Sequence, residues 1–413
     1  MRRLCLTVIG IYIMFLSAFS QRANQPDNVY ESKPLRLDEI NLVSSYYTQE
    51  GNHSAVTGGI GNEHVVDLSN GLEIKFVGWD ARHSKHTLGV DMGFDHHTSA
   101  SSAYVSKTGA SKTGGTRIYP AVNWTVENSK GNSFGIGAYY STEYNYKSIG
   151  LDLHAGRKLS SNTEINGKVS GFFDQLKMIY PSELIPKAVI TAPSTYTTAS
   201  GRTVTAGGSA EENSIPSSGR NTLTASVSLT QIVNTRMQFS VMLDGVYQNG
   251  YLGLPFHRVY FTDKSVYVEN LPDTRMKLPI GFRLNYFLGD KIVLRSYYRY
   301  YTDSWGLTSH SGELEIPVKL TSFFSLAPFF RYYTQTAVKY FAAYGRHTAA
   351  DQYYTSNYSL SALTSQFMGA GIHLAPPKGI FNEHINAMDI RFGHYTQSTE
   401  LNANVISLAF SLK

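Results

Sequence analysis

Apolar and polar residues alternate with a period of two along most of the chain. In residues 278–301, every second position from Leu278 to Tyr286 is apolar or aromatic, whereas the positions between them include Arg283 and Asn285. The alternation resumes after the residues Leu-Gly-Asp at 288–290. Because successive side chains of a strand point to opposite faces, this segment predicts a hairpin with one apolar face and one charged face.

The same alternation recurs from about residue 40 to the end of the chain, and it predicts an all-β protein. Hardly any stretch has the three-to-four spacing of an amphipathic helix. We predict about sixteen strands, with fourteen as the alternative, because strand boundaries taken from sequence carry an error of a few residues. The strands are predicted to begin near residues 40, 70, 86, 117, 133, 148, 163, 221, 236, 276, 291, 312, 323, 358, 385 and 400.

Tight turns and long polar connections alternate between the predicted strands. In an up-and-down barrel, this places every long loop at one rim and every tight turn at the other, as in outer-membrane barrels with short periplasmic turns and long outer loops. A soluble sandwich has no reason to follow that rule. We therefore expect a transmembrane antiparallel barrel, closed because an open edge would leave backbone groups unpaired in hydrocarbon. Tight turns are predicted at 127–132, 160–162, 233–235, 288–290 and 321–322, and long connections at 96–116, 179–220, 248–275, 303–311 and 336–356.

The N-terminus has the composition of a secretory signal peptide. Two arginines precede an apolar run over residues 4–19, and small residues follow, so residues 1–20 are predicted to be removed on export. The alternative, a membrane-spanning anchor, needs about 20 apolar residues. Residues 21–39 are predicted to be a periplasmic segment and residues 40–413 the barrel, with a long outer loop at 181–220. Cys5 is the only cysteine, so the mature chain has no disulfide or thiolate metal site.

Other classes of function find little support in the sequence. The formal net charge is +5 without a cluster of lysines and arginines, so nucleic-acid binding is not indicated. The glycines of HSAVTGGIGNEH (53–64) resemble a phosphate loop only superficially, because no helix follows them. We expect this loop to fold into the lumen or to dock on a partner at a rim. His83 and His86 would lie about 30 Å from His96 and His97 along one strand, so we predict no shared metal site and no cofactor.

Several blocks of sequence resemble the outer-membrane family known as domain of unknown function 3570. The resemblance spans nearly the whole mature chain and implies a single-domain outer-membrane barrel with no assigned catalytic residues. No functional site can be transferred from it. The blocks are SYYTQEGNHSAVTGGIGNE (45–63), DHHTSASS (95–102), GYLGLPF (250–256), LPDTR (271–275), YRYYTDSWGLTSH (298–310) and FFRYYTQTAVKYF (329–341).

The charged face of the hairpin at 278–301 and of the strands after it is the best functional candidate. We expect Arg283 to lie opposite Arg295, and Glu313 opposite Arg331. Rings of arginine or lysine select anions, so one hypothesis is an anion-attracting constriction in a water-filled pore. The alternative is a lumen lined with salt bridges, in which the glutamates offset the arginines. The candidate lumen-lining residues are Arg283, Arg295, Arg299, Glu313, Glu315, Lys319 and Arg331.

These observations favour a porin-like channel or a barrel component of a surface or export complex in the outer membrane of a Gram-negative cell. One alternative is a barrel-borne lipid hydrolase that uses His310, although its neighbours Ser309 and Ser311 should point to the opposite face. Another is a structural or receptor barrel that uses loop 181–220. No catalytic residue is assigned. The expected partners are outer-membrane lipid, the insertion machinery through the C-terminal strand, and a periplasmic or surface protein.

Paired tyrosines near the predicted long-loop ends of strands suggest an aromatic girdle. Tyrosine rings are amphipathic and favour the level of the lipid headgroups. The ordinary preference of tyrosine for strands is the alternative explanation. The pairs are Tyr139-Tyr140, Tyr297-Tyr298, Tyr300-Tyr301, Tyr332-Tyr333 and Tyr353-Tyr354.

Overall fold

Sixteen antiparallel strands pair in chain order and close into a barrel, as the alternation predicted. The computed structural model describes residues 32–98, 114–143, 146–178, 181–184, 194–197, 203–206, 217–254, 256–380 and 384–413. Closure is made by the first and last strands, which pair from Ile40 with Leu412 to Glu50 with Asn402. Every strand therefore has two neighbours, and the barrel has no open edge in the region where hydrocarbon would surround it.

The strand bounds agree with the predicted starts to within a few residues, apart from that of the first strand. The segments Thr308–Glu315 and Val318–Lys319 are two parts of one barrel strand. Two small hairpins lie in the loops, formed by Ser194–Thr197 with Thr203–Ala206 and by Arg258–Tyr260 with Val266–Val268. Short 3-10 turns cover Ala55–Thr57, Ser182–Leu184 and Tyr358–Leu360. The strands are β1 (Lys33–Glu50), β2 (Val65–Trp79), β3 (Lys85–His97), β4 (Gly115–Glu127), β5 (Ser133–Glu143), β6 (Tyr146–Lys158), β7 (Thr163–Lys177), β8 (Ser194–Thr197), β9 (Thr203–Ala206), β10 (Ser217–Asn234), β11 (Met237–Gly250), β12 (Arg258–Tyr260), β13 (Val266–Val268), β14 (Thr274–Leu288), β15 (Ile292–Asp303), β16 (Thr308–Glu315), β17 (Val318–Lys319), β18 (Phe324–Gln335), β19 (Leu363–Leu374), β20 (Ile385–Gln397) and β21 (Asn402–Leu412).

One face of each strand carries large apolar side chains that nothing in the protein covers. On β6, Ile149, Leu151 and Leu153 are each more than half exposed, whereas Asp152 between them is 3% exposed. A water-soluble monomer rarely exposes so large a contiguous apolar surface, and a band of this kind fits the acyl chains of a bilayer. Exposed apolar side chains on other strands include Leu68, Phe94, Trp124, Ile136, Phe173, Leu223, Leu243, Phe282, Phe330, Met368, Phe392 and Ile406.

The paired tyrosines are divided between the two faces of the barrel. Tyr140, Tyr298 and Tyr332 are exposed on the lipid side. The register places Tyr139, Tyr297 and Tyr333 on the other face, and Tyr353-Tyr354 lies in a loop. Only one member of each strand pair can therefore contribute to the predicted girdle.

The two rims differ in the length of their connections. One rim has the turns 80–84, 128–132, 159–162, 235–236, 289–291 and 320–323, together with the longer connection 375–384. The other has the connections 51–64, 98–114, 178–216, 251–273 and 336–362, and the short ones 144–145, 304–307 and 398–401. The predicted long loop at 303–311 is wrong, because the Asp303 carboxylate accepts the N–H groups of Trp305 and Leu307 at 2.9 and 3.1 Å and closes a four-residue turn.

Two predicted boundaries meet the structure only in part. Strand β1 begins at Lys33, but residues 33–39 pair with β2 alone, and pairing with β21 starts at Ile40. Most of the predicted outer loop 181–220 lies outside the described residues, and residues 217–220 already belong to β10. Residues 1–20, predicted as a signal peptide, also lie outside the described part. No helix in the described ranges is long and apolar enough to cross a membrane.

The described residues of the connections 51–64, 251–273 and 336–362 pack together into a folded unit that we call the cap. Arg258 donates from Nη1 to the carbonyl of Val56 at 2.8 Å, and the His53 ring stacks on Tyr358 with centroids 3.8 Å apart. Asn270 and Tyr354 exchange two backbone hydrogen bonds. A small apolar core joins the cap to the barrel rim. It consists of Trp305, Leu307 and Val338, with Leu252, Leu271, Tyr301, Tyr340, Phe341 and Leu360 packed around it.

The cap contacts inward-facing side chains at the rim of the barrel. Gln49 and Gln335 lie on the inward face of β1 and β18, and both donate from Nε2 to cap backbone. Gln49 donates to the carbonyl of Glu63 at 3.1 Å, and Gln335 to that of Ser359 at 3.0 Å. The loop 53–64 thus lies at the rim, where it packs against other loops of the same chain; docking on a partner there stays a prediction.

Candidate functional site

The inward register of the strands after residue 274 brings most of the predicted luminal charges onto one wall. Arg283 lies opposite Tyr297, Tyr297 opposite Glu313, and Glu313 opposite Arg331. The expected pairing of Glu313 with Arg331 is therefore confirmed. The expected pairing of Arg283 with Arg295 is wrong, because the turn 289–291 places Leu288 opposite Ile292, which shifts the register by two residues.

Glu315 joins two arginines on this wall. Its Oε1 lies 2.9 Å from Nη1 of Arg295, and its Oε2 lies 2.7 Å from Nη1 of Arg391. Arg391 comes from β20, and we did not identify it from the sequence. It lies two residues from Asp389, on the same inward face of that strand. The salt-bridged lining therefore exists at Glu315, and it includes a residue distant in sequence.

Other arginines of this wall rest on aromatic rings. The Arg283 guanidinium lies 5.6 Å from the centre of the Tyr297 ring, and that of Arg331 lies 5.0 Å from the centre of the Phe367 ring. Among the described residues, Arg283, Arg299 and Arg331 make no ion pair within 4.0 Å. A ring fixes the position of a guanidinium without cancelling its charge, so these three positive charges act on the lumen.

Lys319 lies apart from these arginines, at the rim of tight turns. It is exposed, it pairs with Ser325, and its N–H donates to the carbonyl of Lys291 at 2.7 Å. Six of the seven candidate lumen-lining residues therefore lie within the barrel wall, and Lys319 lies at the rim of tight turns.

The wall formed by β4–β7 carries a hydrogen-bond network that we did not predict from the sequence. The side chain of Asp152 is fully covered, and it accepts hydrogen bonds from the Tyr139 hydroxyl and from Nδ1 of His154, the latter at 2.9 Å. Nζ of Lys168 lies 3.4 Å from the same carboxylate and donates to Tyr139 at 3.1 Å. The Thr125 hydroxyl lies 2.9 Å from Nε2 of His154. The network holds a charged group rigidly in the inner wall.

Further acidic side chains of the inner wall, on β2 and β3, accept hydrogen bonds from neutral donors. The Tyr119 hydroxyl donates to Asp95 at 2.8 Å, and the Asn41 amide donates to Glu73 at 3.1 Å. In the part of the chain that the structure describes, neither Glu73 nor Asp95 forms an ion pair within 4.0 Å. Amide and phenol donors leave the carboxylate charge in place, so this wall presents negative charge to the lumen.

Several aromatic side chains of the inner wall lie over glycines of the neighbouring strand. Gly93 is opposite Tyr119, and Gly393 lies beside Phe367. A methyl group added at either glycine would overlap the ring. The glycine therefore provides the space in which the ring lies against the wall.

The cap contains a buried polar centre around Glu269, whose side chain is 3% exposed. Its carboxylate accepts hydrogen bonds from the Thr355 hydroxyl at 2.5 Å and from the Leu254 N–H at 2.8 Å, and Nδ1 of His257 lies 3.7 Å away. Burial by itself raises the pKa of Glu269, but His257, Thr355 and the Leu254 N–H outweigh it and hold that pKa below its ordinary value. Glu269 thus stays ionised and ties loop 251–273 to loop 336–362.

The glycines of loop 53–64 serve the packing of the cap. Gly58 and Gly59 have φ of 81° and 86°, in the left-handed region that favours glycine. A Cβ on Gly58 would lie 2.5 Å from the Tyr260 ring, and one on Gly59 would lie 2.6 Å from the Ser356 carbonyl oxygen. The element before these glycines is a single 3-10 turn. These contacts explain the glycine-rich sequence without a bound phosphate.

His310 is on the lipid face, where its Nδ1 lies 2.7 Å from the Tyr298 hydroxyl. Ser309 is buried, and Ser311 is on the same inward face as Ser309. As expected from the alternation, His310 is directed away from both serines. His86 lies 3.3 Å from Asp80 at one end of β3, and His97 lies 3.4 Å from Glu143 at the other. Across the described ranges, no group of three or more potential ligands is arranged to hold a metal ion.

A family model described as "Protein of unknown function (DUF3570)" matches residues 91–408 of the 413-residue chain. The chain belongs to the DUF3570 family. This agrees with the resemblance seen in the sequence blocks. Among curated proteins, no sequence matches the chain.

Solved structures that resemble this DUF3570 protein include a "Bacterial polysaccharide outer membrane secretin", with 9% identity and a TM-score of 0.45, covering 91% of this chain and 98% of that one. OccK2 (OpdF) of Pseudomonas aeruginosa has 8% identity and a TM-score of 0.39, with coverage of 91% and 97%. A BenF-like porin from Pseudomonas fluorescens Pf-5 has 9% identity and a TM-score of 0.36, with coverage of 92% and 98%. Similarity at this level is too low to transfer a function.

Proposed function

We propose that this DUF3570 protein is an outer-membrane channel through which small polar solutes diffuse. The observation that carries the proposal is the charged inner wall of a closed, sixteen-stranded barrel, on which Arg283, Arg299 and Arg331 form no ion pair within 4.0 Å with any described residue. Barrels of about this strand number leave an aqueous channel between their walls. Charged side chains facing water in that channel keep their hydration, which makes their uncompensated charge tolerable.

The proposal includes location and export. The apolar outer band and the difference between the rims support residence in the outer membrane of a Gram-negative cell, with the cap on the outside and the tight turns in the periplasm. Export would use residues 1–20 as a cleaved signal peptide. In this arrangement, solutes pass the cap first and the arginine wall next.

The lipid-hydrolase alternative has weaker support. A nucleophile needs its base within hydrogen-bond reach, and His310 instead contacts Tyr298 on the lipid face, while Ser309 and Ser311 face inward. We therefore assign no catalytic role to any residue of this chain.

Planar-bilayer recording of the purified, refolded protein tests the proposal. We expect discrete current steps, and an ion selectivity that changes when Arg283→Glu and Arg299→Glu are combined. The reversal potential in a salt gradient should move toward that of a cation-preferring pore. Arg157→Glu, which changes the same charge on the outer face of β6, is the matched control and should leave the reversal potential unchanged. Absence of current steps from correctly folded protein would reject the channel.

A further inference from the structure

The inward charges are sorted by sign between two halves of the barrel. Strands β2–β7 carry nine acidic and five basic inward side chains. Strands β14–β20 carry eight basic and four acidic ones. In the first half the acidic residues are Asp67, Glu73, Asp91, Asp95, Glu127, Glu143, Asp152, Glu164 and Asp174, and the basic ones are Lys75, Lys85, Arg117, Lys158 and Lys168. In the second half the basic residues are Arg275, Lys277, Arg283, Arg295, Arg299, Lys319, Arg331 and Arg391, and the acidic ones are Asp303, Glu313, Glu315 and Asp389.

These two halves face each other across the lumen. Because the sixteen strands pair in chain order, each strand is opposite the one eight places further along. Strand β2 is thus opposite β14, and β3 is opposite β15. Glu73 on β2 and Asp91 on β3 lie near the middle of their strands, as do Arg283 on β14 and Arg299 on β15. The two signs therefore meet at mid-depth.

The charges at mid-depth are not cancelled within their own wall. Glu73 and Asp91 accept hydrogen bonds from the amides of Asn41 and Asn123, at 3.1 and 3.3 Å. Arg283 rests on the Tyr297 ring. None of Glu73, Asp91, Arg283 or Arg299 forms an ion pair within 4.0 Å among the described residues. Opposite charges on the two low-dielectric walls of a cleft create a field across it, and here that field points from the arginine wall to the acidic wall.

We propose that the lumen selects dipolar solutes, which carry one ammonium and one carboxylate group, such as short peptides and amino acids. Such a solute gains from both walls at once when its carboxylate is turned to Arg283 and Arg299 and its ammonium to Glu73 and Asp91. A simple anion is attracted by one wall and repelled by the other. This inference rests on the proposed channel function and names its class of substrate.

Swelling of proteoliposomes tests the inference. The probes are alanylalanine, which is dipolar, and N-acetylalanine methylamide, an uncharged molecule of similar size. We expect alanylalanine to enter about threefold faster or more through the unaltered protein. Two variants each neutralise one wall, Glu73→Gln with Asp91→Asn and Arg283→Gln with Arg299→Gln. Each should bring the ratio of the two rates close to one while the uncharged probe still enters.

The controls separate the inference from the channel itself. Arg157→Gln removes a positive charge from the outer face and should keep the ratio of the unaltered protein. Equal rates for the two probes in the unaltered protein would overturn the inference and leave the channel standing. So would a ratio that depends on the arginine wall alone, because that result describes an ordinary anion-attracting pore. Failure of both probes to enter would reject the channel and the inference together. Heat-modifiable migration in electrophoresis shows that each variant is folded.

Discussion

The Glu269 carboxylate at the polar centre of the cap should contribute measurably to the stability of the closed cap. Glu269→Ala removes the acceptor of the Thr355 hydroxyl and of the Leu254 N–H, and it removes the charge beside His257. A buried donor left without a partner costs about 1–3 kcal/mol. The two donors should therefore destabilise the closed cap by about 2–6 kcal/mol. Glu269→Gln keeps the shape and one acceptor oxygen, so its effect should be intermediate.

Limited proteolysis of the refolded barrel measures this effect. If the cap opens and closes quickly relative to cleavage, the cleavage rate follows the open fraction, and 1.4 kcal/mol corresponds to about tenfold. We therefore expect cleavage within loops 251–273 and 336–362 to rise about thirtyfold or more in Glu269→Ala, with the barrel itself intact. Asp263→Asn is the matched control, since Asp263 is exposed at the tip of the same hairpin.

The same carboxylate predicts a dependence on pH. Because the folded-state pKa of Glu269 lies below its ordinary value of 4.5, the stabilisation is present above that ordinary value and is lost as pH falls through the folded-state pKa. Cleavage of the cap by an acid protease should therefore rise at low pH in the unaltered protein and change much less in Glu269→Gln. Equal cleavage of the unaltered protein and Glu269→Ala at neutral pH would refute the reasoning.

Two further predictions concern packing and the lipid face. Gly59→Ala should loosen the cap, because it puts a methyl group 2.6 Å from the Ser356 carbonyl oxygen at a residue with positive φ. Backbone strain of this kind costs about 1–3 kcal/mol. Limited proteolysis of the cap measures the effect, and an unchanged cleavage rate would contradict the prediction. Leu151→Arg should destabilise the barrel by about 2–4 kcal/mol in urea unfolding from lipid vesicles, because Leu151 faces the hydrocarbon. Ser226→Arg on the inward face is its control, and an equal loss in both variants would show that the two faces are wrongly assigned.

The strands of the barrel could be predicted because their signal is local. A period of two requires only that a residue and its second neighbour share a face, and this held for Ile149, Leu151 and Leu153. The same reasoning placed Arg283, Glu313 and Arg331 on the inward face. Their partners were harder to predict, because a register error of two residues keeps every side chain on its face and changes only what it meets. That is how Arg283 came to be placed opposite Arg295 rather than Tyr297.

The cap and the polar network could not be predicted in the same way. Arg258 is 2% exposed because it reaches the carbonyl of Val56, about two hundred residues earlier in the chain. No period in the sequence brings such segments together. The network around Asp152 left a weak signal, since Asp152 and His154 share the inward parity of β6. Arg391 also left a weak signal, because it shares the inward parity of Asp389 on β20. Its partner Glu315, however, lies on a strand that is not adjacent to β20.

The glycines beneath the aromatic rings of the inner wall bear on the bore of the barrel. Tyr119 and Phe367 are among the bulkiest inward side chains, yet each lies over a neighbouring glycine, so that its flat surface forms part of the lining. A single methyl group at Gly93 or Gly393 would overlap the ring and displace it from the wall. The width of the barrel interior at these rings therefore depends on the smallest residues in its wall.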